Sequence, residues 1–382
     1  MILRFKTTFT ILTFLVFLSS CNSNIKTKNK LENIKSSIEI KYAKGFEIKL
    51  INEEKKLIIK SPYPNATEQF SYTLINKSEN IKNTNSSNII YVPLKRTVVT
   101  STTDIPMLEL LGVENTLIGF PHTNYISSKK TRALIENGQV QEIGNKSDIN
   151  TEVLLALNPE VVVGFSMSRT NKTLNLIERT GIPVILNGAW LEETPLGRAE
   201  WIKFFGVLYG KEKEANAIFN EIETNYIAVK NLAATARSKP SILSGAVMSK
   251  DIWNLPAGKS FVAQFLIDAN TNYLWSDSEG TGSLSISFES ALDKGKEADF
   301  WIAPGYFTSK EQMLNNNENY KVFRSFQKDQ IFTFANKLGE TGGAMYFELA
   351  PARPDLVLKD IIKITHPELL KDYTPTFFEK LN

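Results

Sequence analysis

The chain has 382 residues, of which 42% are hydrophobic and 22% charged, enough for two domains with sizeable cores. Forty-four Lys and Arg face 41 Asp and Glu, a net charge of +3 that gives no electrostatic footprint for nucleic acid. One cysteine excludes a disulfide within the chain, and two histidines leave little for a clustered metal site.

In chain order, the first feature is Arg4 and Lys6 ahead of the apolar run Phe9–Leu18, followed by Ser19-Ser20-Cys21. A basic segment, a short apolar segment and small residues at a cleavage point make a secretory signal. The run is shorter than the roughly 20 apolar residues of a membrane span. Leu18-Ser19-Ser20-Cys21 resembles the lipobox of bacterial lipoproteins. That resemblance implies removal of residues 1–20 and acylation of Cys21, leaving a periplasmic, membrane-anchored lipoprotein. The alternative is an ordinary signal or anchor with a chance cysteine. Arg4 and Lys6 would leave with the signal and no acid would, so the net charge falls from +3 to +1. Residues 21–37 are rich in Asn, Ser, Thr and Lys and read as a flexible tether. Residues 38–92 read as a strand-rich extension, with apolar alternation at Ile38–Tyr42, Phe46–Leu50, Leu57–Ile59 and Phe70–Leu74.

Strands and helices alternate from Leu94 onward. Residues 93–194 form one predicted lobe: strand Thr97–Thr100, a helix capped by Asp104 with Pro106 in its first turn, helix Thr151–Leu157, strand Val161–Gly164, helix Asn171–Thr180 and strand Pro183–Leu186. Residues 195–238 form a helical linker. Within it Ala215, Ile218, Phe219, Ile222, Tyr226, Val229 and Ala233 make one apolar stripe along a long helix over 211–233. Residues 239–382 restart the α/β texture, and Phe288–Leu292 before Ala298–Gly305 repeats the helix–break–strand order of Thr151–Gly164. The predicted class is α/β: two mainly parallel lobes joined by one long rigid helix, with a short-strand segment at the N-terminus.

Four pieces in this order resemble the periplasmic substrate-binding proteins of ABC importers for iron complexes and cobalamin. They are Arg96–Val113, Glu142–Val163, Thr180–Val184, and Arg353–Ile361 with His366-Pro367-Glu368. Residues 38–92 are extra to the smaller members of that family. The resemblance implies a ligand cleft between the lobes and a permease docked through one glutamate per lobe. Asn171 stands at the first of those places, and Asn270 and Thr271 at the second; Glu178 and Asp268 are nearby substitutes.

Candidate site residues come from the loops expected at the cleft. Trp190, Trp253, Trp275, Tyr306 and Tyr346 are rigid aromatic walls of the kind that suit flat macrocycles and aryl chelates, unless they are packing residues. Arg169 and Arg353 are forks for ligand carboxylates, although Arg353 equally suits bracing the turn before the last helix. Glu348 is open between the two roles. His122 sits in a cleft loop, and His366, before Pro367, reads as structural. Gly164–Ser168 misses the nucleophile-elbow pattern at Ser168. Ala257–Ser260 lacks the first glycine of a phosphate loop, Trp253 standing there, and reads as a cap for a helix running to Asp268.

The expected function is therefore the substrate-binding component of an ABC importer, monomeric, without cofactor, bound metal or catalysis. It would take an iron complex or cobalamin to a permease, with Cys21 as its membrane anchor. A lipid-anchored periplasmic hydrolase or chelatase is the alternative from another class. A structural envelope lipoprotein without a ligand-sized cleft is a third.

Overall fold

The computed structural model describes residues 34–36, 38–78, 88–145 and 148–382; Cys21 and most of the expected tether lie outside the described residues. Apolar alternation builds the first sheet. Strands Ile34–Ser36, Phe46–Ile51, Glu54–Ile59, Phe70–Asn76 and Ile89–Val92 lie side by side in chain order. All pairs are antiparallel except the last, which is parallel. One face buries Phe46, Ile48, Leu57, Ile59, Tyr72 and Leu74, as the two-residue period of a strand requires. Ile51 faces Glu54 across Asn52-Glu53, both left-handed at φ 51° and 69°. That two-residue hairpin matches the twist of its strands.

Two stretches differ from the sequence expectation. Ile34–Ser36, read as tether, pairs with Lys49–Ile51. Ile38–Tyr42, read as a strand, is not one. The Glu200 carboxylate accepts from the backbone N–H of Lys41, Tyr42 and Ala43 (2.8, 2.6 and 2.9 Å). Glu192 accepts from Lys44 and Gly45 (3.0 and 2.8 Å). Backbone donors committed to carboxylates are not free for a ladder.

The first lobe holds a parallel sheet in the order Val184–Leu186, Val161–Gly164, Thr97–Val99, Leu117–Phe120, Gln141–Glu142. Val161, Val162 and Val163 are all 0% exposed, because helices cover both faces of the sheet. The second lobe orders Asn272–Tyr273, Ser241–Ser244, Phe300–Ile302, Ile331–Thr333 and Glu379–Lys380, with only the last strand antiparallel. A three-stranded antiparallel sheet, Ala246–Ser249, Ile252–Pro256 and Ser283–Ser287, sits beside it.

Between the lobes run helices Pro195–Ala199, Ile202–Tyr209 and Glu212–Ala233. The last is about 33 Å long at 1.5 Å per residue and buries Ala215, Phe219, Ile222, Tyr226, Val229 and Ala233. Every residue of Ile202–Tyr209 is buried, Lys203 included. Its ammonium donates to Glu200 Oε1 at 2.7 Å and to the Glu39 carbonyl at 2.8 Å. Asp104 precedes helix Ile105–Leu110 as expected but makes no capping bond; its carboxyl turns instead to Asn187.

Removing one partner of a buried ion pair strands the other charge. Glu200→Ala should therefore lower the unfolding free energy by about 3–5 kcal/mol, measured by chemical denaturation. Adding Lys203→Met should recover part of that loss, because the stranded charge goes with it.

Candidate ligand cleft

The C-terminal ends of the central strands in both parallel sheets open onto one cleft of about 620 Å³. Such strand ends are where open α/β sheets hold ligands. The first lobe supplies Thr100–Thr102 after strand Thr97–Val99, Phe120–His122 after Leu117–Phe120, Tyr125, and Phe165 after Val161–Gly164. The second supplies Tyr306 and Thr308 after Phe300–Ile302, then Ala335, Leu338, Gly342–Ala344 and Phe347. None of these lining residues is Lys, Arg, Asp or Glu. Four aromatic side chains stay exposed among the described residues: Tyr125 (65%), Phe165 (41%), Tyr306 (64%) and Phe347 (42%). All four line this cleft.

Two backbone positions at its mouth are strained. His122 (φ 57°) and Ala303 (φ 55°) are left-handed residues other than glycine, each one or two positions past a central strand. Glu142 fixes the first. Its carboxylate accepts from the N–H groups of His122, Thr123 and Gly144 at 2.8, 2.8 and 2.9 Å. Burial raises its pKa, but those N–H donors outweigh burial and hold it below the usual value.

Glu348 joins the lobes at the cleft edge. From helix Met345–Leu349 it accepts from Ser127 N–H and Oγ (2.7 and 3.0 Å) and from Ser128 N–H (2.9 Å) in the other lobe. Burial pushes its pKa up despite those bonds. Thr341 Oγ1 donates to the Asn124 carbonyl at 2.7 Å. Gly343 packs so closely on Tyr125 that a Cβ would meet its carbonyl oxygen at 2.3 Å. Glu348 is thus an interlobe clasp, not a lining group.

Of the aromatic candidates only Tyr306 lines this cleft, together with His122. Trp253 is 0% exposed, stacked on Trp301 at 5.2 Å and donating to the Ser244 carbonyl. Trp275 is buried beneath Lys294. Tyr346 is buried and stacked on Phe334 at 4.9 Å. These three are core, because an indole or phenol ring buries more apolar area inside a lobe than at its edge. Trp190 lines a different cavity, beside Arg198. Arg169 is exposed and pairs at 3.2 Å with Glu68, in the connection before strand Phe70–Asn76. Arg353 forks onto Asp355 at 2.9 and 2.8 Å, bracing the turn before helix Pro354–Thr365. His366 is buried with Nε2 3.1 Å from the Ala269 carbonyl, a structural role.

The reading missed Phe165, Tyr125 and Phe347. Phe165 carried a signal, an aromatic directly after a fully buried valine strand. Phe347 adjoins the chosen Tyr346, and a five-residue helix gives too little periodicity to tell which of the two faces out. The docking positions also have local work. Asn171 caps helix Lys172–Arg179 through Leu174 N–H. Asp268 accepts from Tyr226, Lys230 and Gln264 and is buried, which removes it as a docking group.

Residues 98–338 match the family model described as periplasmic binding protein. An uncharacterized lipoprotein of Methanocaldococcus jannaschii is 26% identical, over 94% of this chain and 90% of its own. A periplasmic heme binding protein from Pseudomonas aeruginosa superposes with a TM-score of 0.57 at 17% identity, covering 76% of this chain and 98% of that one. A periplasmic vitamin B12 binding protein of Vibrio cholerae gives 0.52 at 13% identity, covering 74% and 99%. The family and these neighbours are substrate-binding proteins, not enzymes.

Behind Thr102 the Asp104 carboxyl is 2% exposed, accepts from Asn187 at 2.8 Å, and is pushed by burial up to about 8. Its unfolded value is about 3.9. The folded chain therefore holds the extra proton between the two values. Stability from this group is full below about pH 4 and is lost as pH rises through 8. In Asp104→Asn the drop in unfolding free energy from pH 5 to pH 8.5 should shrink by about 1 kcal/mol or more, read from denaturation at both pH values.

Proposed function

The chain belongs to the periplasmic binding protein family, and from that premise we propose that it is the capture component of an ABC importer for an iron complex or cobalamin. The observation that carries this reading is the charge-free cleft between two sets of strand ends, walled by Tyr125, Phe165, Tyr306 and Phe347. Exposed rings supplied by both lobes around such a gap favour a flat, rigid ligand, and Thr and Ser hydroxyls orient it. A lining without charge favours a metal chelate whose own charges are largely balanced, since an uncompensated charge there would lose water without gaining a partner. The heme and vitamin B12 binding neighbours support that class of cargo.

Delivery follows from the same architecture. The long helix Glu212–Ala233 and the Glu348 clasp restrict the lobes to a small hinge closure. Glu178, exposed on the first lobe, is the acid placed to meet a permease there. Acylated Cys21 would hold the capture module at the membrane. Among the described residues no helix is long and apolar enough to cross one.

A titration of the mature protein against cobalamin, haem and several ferric siderophores tests the reading. A ligand at a hundredfold excess over its Kd should stabilise the fold by about 2.7 kcal/mol. Phe165→Ala and Phe347→Ala should each weaken that ligand roughly tenfold, in keeping with the loss of one aromatic contact. Stabilisation by none of the compounds removes the proposal, and recovery of chemically altered ligand replaces it with an enzyme.

A further inference from the structure

A second cavity, about 460 Å³, lies between residues 190–198, where the first lobe runs into the linker, and the second-lobe residues 254–262 and 281–283. It shares no lining residue with the cleft. The Arg198 guanidinium lies over the Phe261 ring, its Cζ 3.5 Å from the centroid. Nε donates to the Glu192 carbonyl at 3.1 Å and Nη2 to the Trp190 carbonyl at 2.7 Å. Nη1 has no acceptor among the described residues, and no described carboxylate forms an ion pair with the group. Glu192, six positions earlier, directs its carboxylate to Lys44, Gly45 and Trp201 instead. Burial brings the Arg198 pKa down to about 10, against smaller upward pulls from Tyr346 and Glu192, as expected of a cation held away from water with no carboxylate in contact.

Two further sets of donors on the same cavity are unsatisfied. Trp190 Nε1 is buried with no partner. Helix Phe261–Asp268 starts here; Ser260 Oγ takes the Ala263 N–H, while those of Phe261 and Val262 find no acceptor among the described residues. The first turn of a helix carries partial positive charge and favours an anion. The remaining walls are mixed: Leu191, Leu255 and Pro256 are apolar, Asn254, Thr281 and Ser283 are neutral polar groups, and Glu192 has its carboxylate taken up by Lys44, Gly45 and Trp201.

We propose that this cavity binds a small organic acid, its carboxylate on the free edge of Arg198 and its apolar body against Trp190 and Leu255. A planar guanidinium already fixed by two carbonyls and a ring presents its remaining N–H groups at little further entropic cost. The cavity spans the junction of first lobe and linker on one side and the second lobe on the other, so an occupant would tie these together. Burial pushes the Tyr346 pKa up to about 12, and the Arg198 charge lies near enough to pull against that rise; the neighbouring Phe347 lines the cleft. The acid site therefore stands one side chain behind the cleft wall.

Calorimetric titration of the mature protein with benzoate, benzamide and inorganic phosphate tests this. Benzoate should bind at least tenfold tighter than the isosteric neutral benzamide and tighter than phosphate. Trp190→Phe, which keeps a ring and loses the donor, should weaken benzoate about fivefold, and Arg198→Lys, which keeps the charge and loses the fork, about tenfold. Both variants should first be shown to melt as the parent does. Phe165→Ala should leave benzoate binding unchanged. Equal binding of benzoate and benzamide overturns the proposal, as does parental affinity in both cavity variants or tighter binding of phosphate. Loss of benzoate in Phe165→Ala would place the acid in the cleft and overturn it too. Each result is independent of whether cobalamin or any iron complex binds.

Discussion

Lys203 carries its charge into the most enclosed helix of the protein, and Glu200 makes that possible. The carboxylate is 0% exposed and meets four donors: the Lys203 ammonium and the N–H groups of Lys41, Tyr42 and Ala43. A carboxylate out of water is tolerable only with such a shell. One side chain thus neutralises the helix Ile202–Tyr209 and anchors the segment leading into the first sheet. Glu192 repeats the device, accepting from Lys44, Gly45 and the Trp201 indole. The extension packs onto the linker that positions both lobes, with Phe46 4.6 Å from Trp201 between ring centroids. A rigid linker, held from outside the two lobes, is what fixes the width of the cleft.

Carboxylates recur wherever separate segments must be held. Glu142 holds the strained His122 loop, Glu348 clasps lobe to lobe, and Asp360 gathers the N–H groups of Thr376, Phe377 and Phe378 near the C-terminus. Each replaces a stretch of secondary structure with one acceptor that satisfies several backbone donors. Arg198 is held differently, with backbone carbonyls and a ring around it and no ion pair to an acid.

Much of the fold was legible because it rests on local rules. The stripe from Ala215 to Ala233 became one helix, Val161–Val163 a fully buried parallel strand, and Ser260 the cap of Phe261–Asp268. The site was less so. Trp253 and Phe165 each follow the same kind of local text, an aromatic near a strand end. Trp253 turns inward because Trp301, Tyr320 and Phe323 close around it, whereas the described residues leave Phe165 41% exposed.

The two α/β blocks, the long helix between them and the resemblance to the family were readable in the sequence, since each is a pattern over neighbouring residues. Only the tertiary structure decided which aromatics are walls and which are core, which acids tie segments 150 or more residues apart, as Glu200 does with Tyr42, and where an arginine is left without a counter-ion. Those outcomes depend on the orientation of side chains brought together from distant parts of the chain, and period and composition carry no record of that.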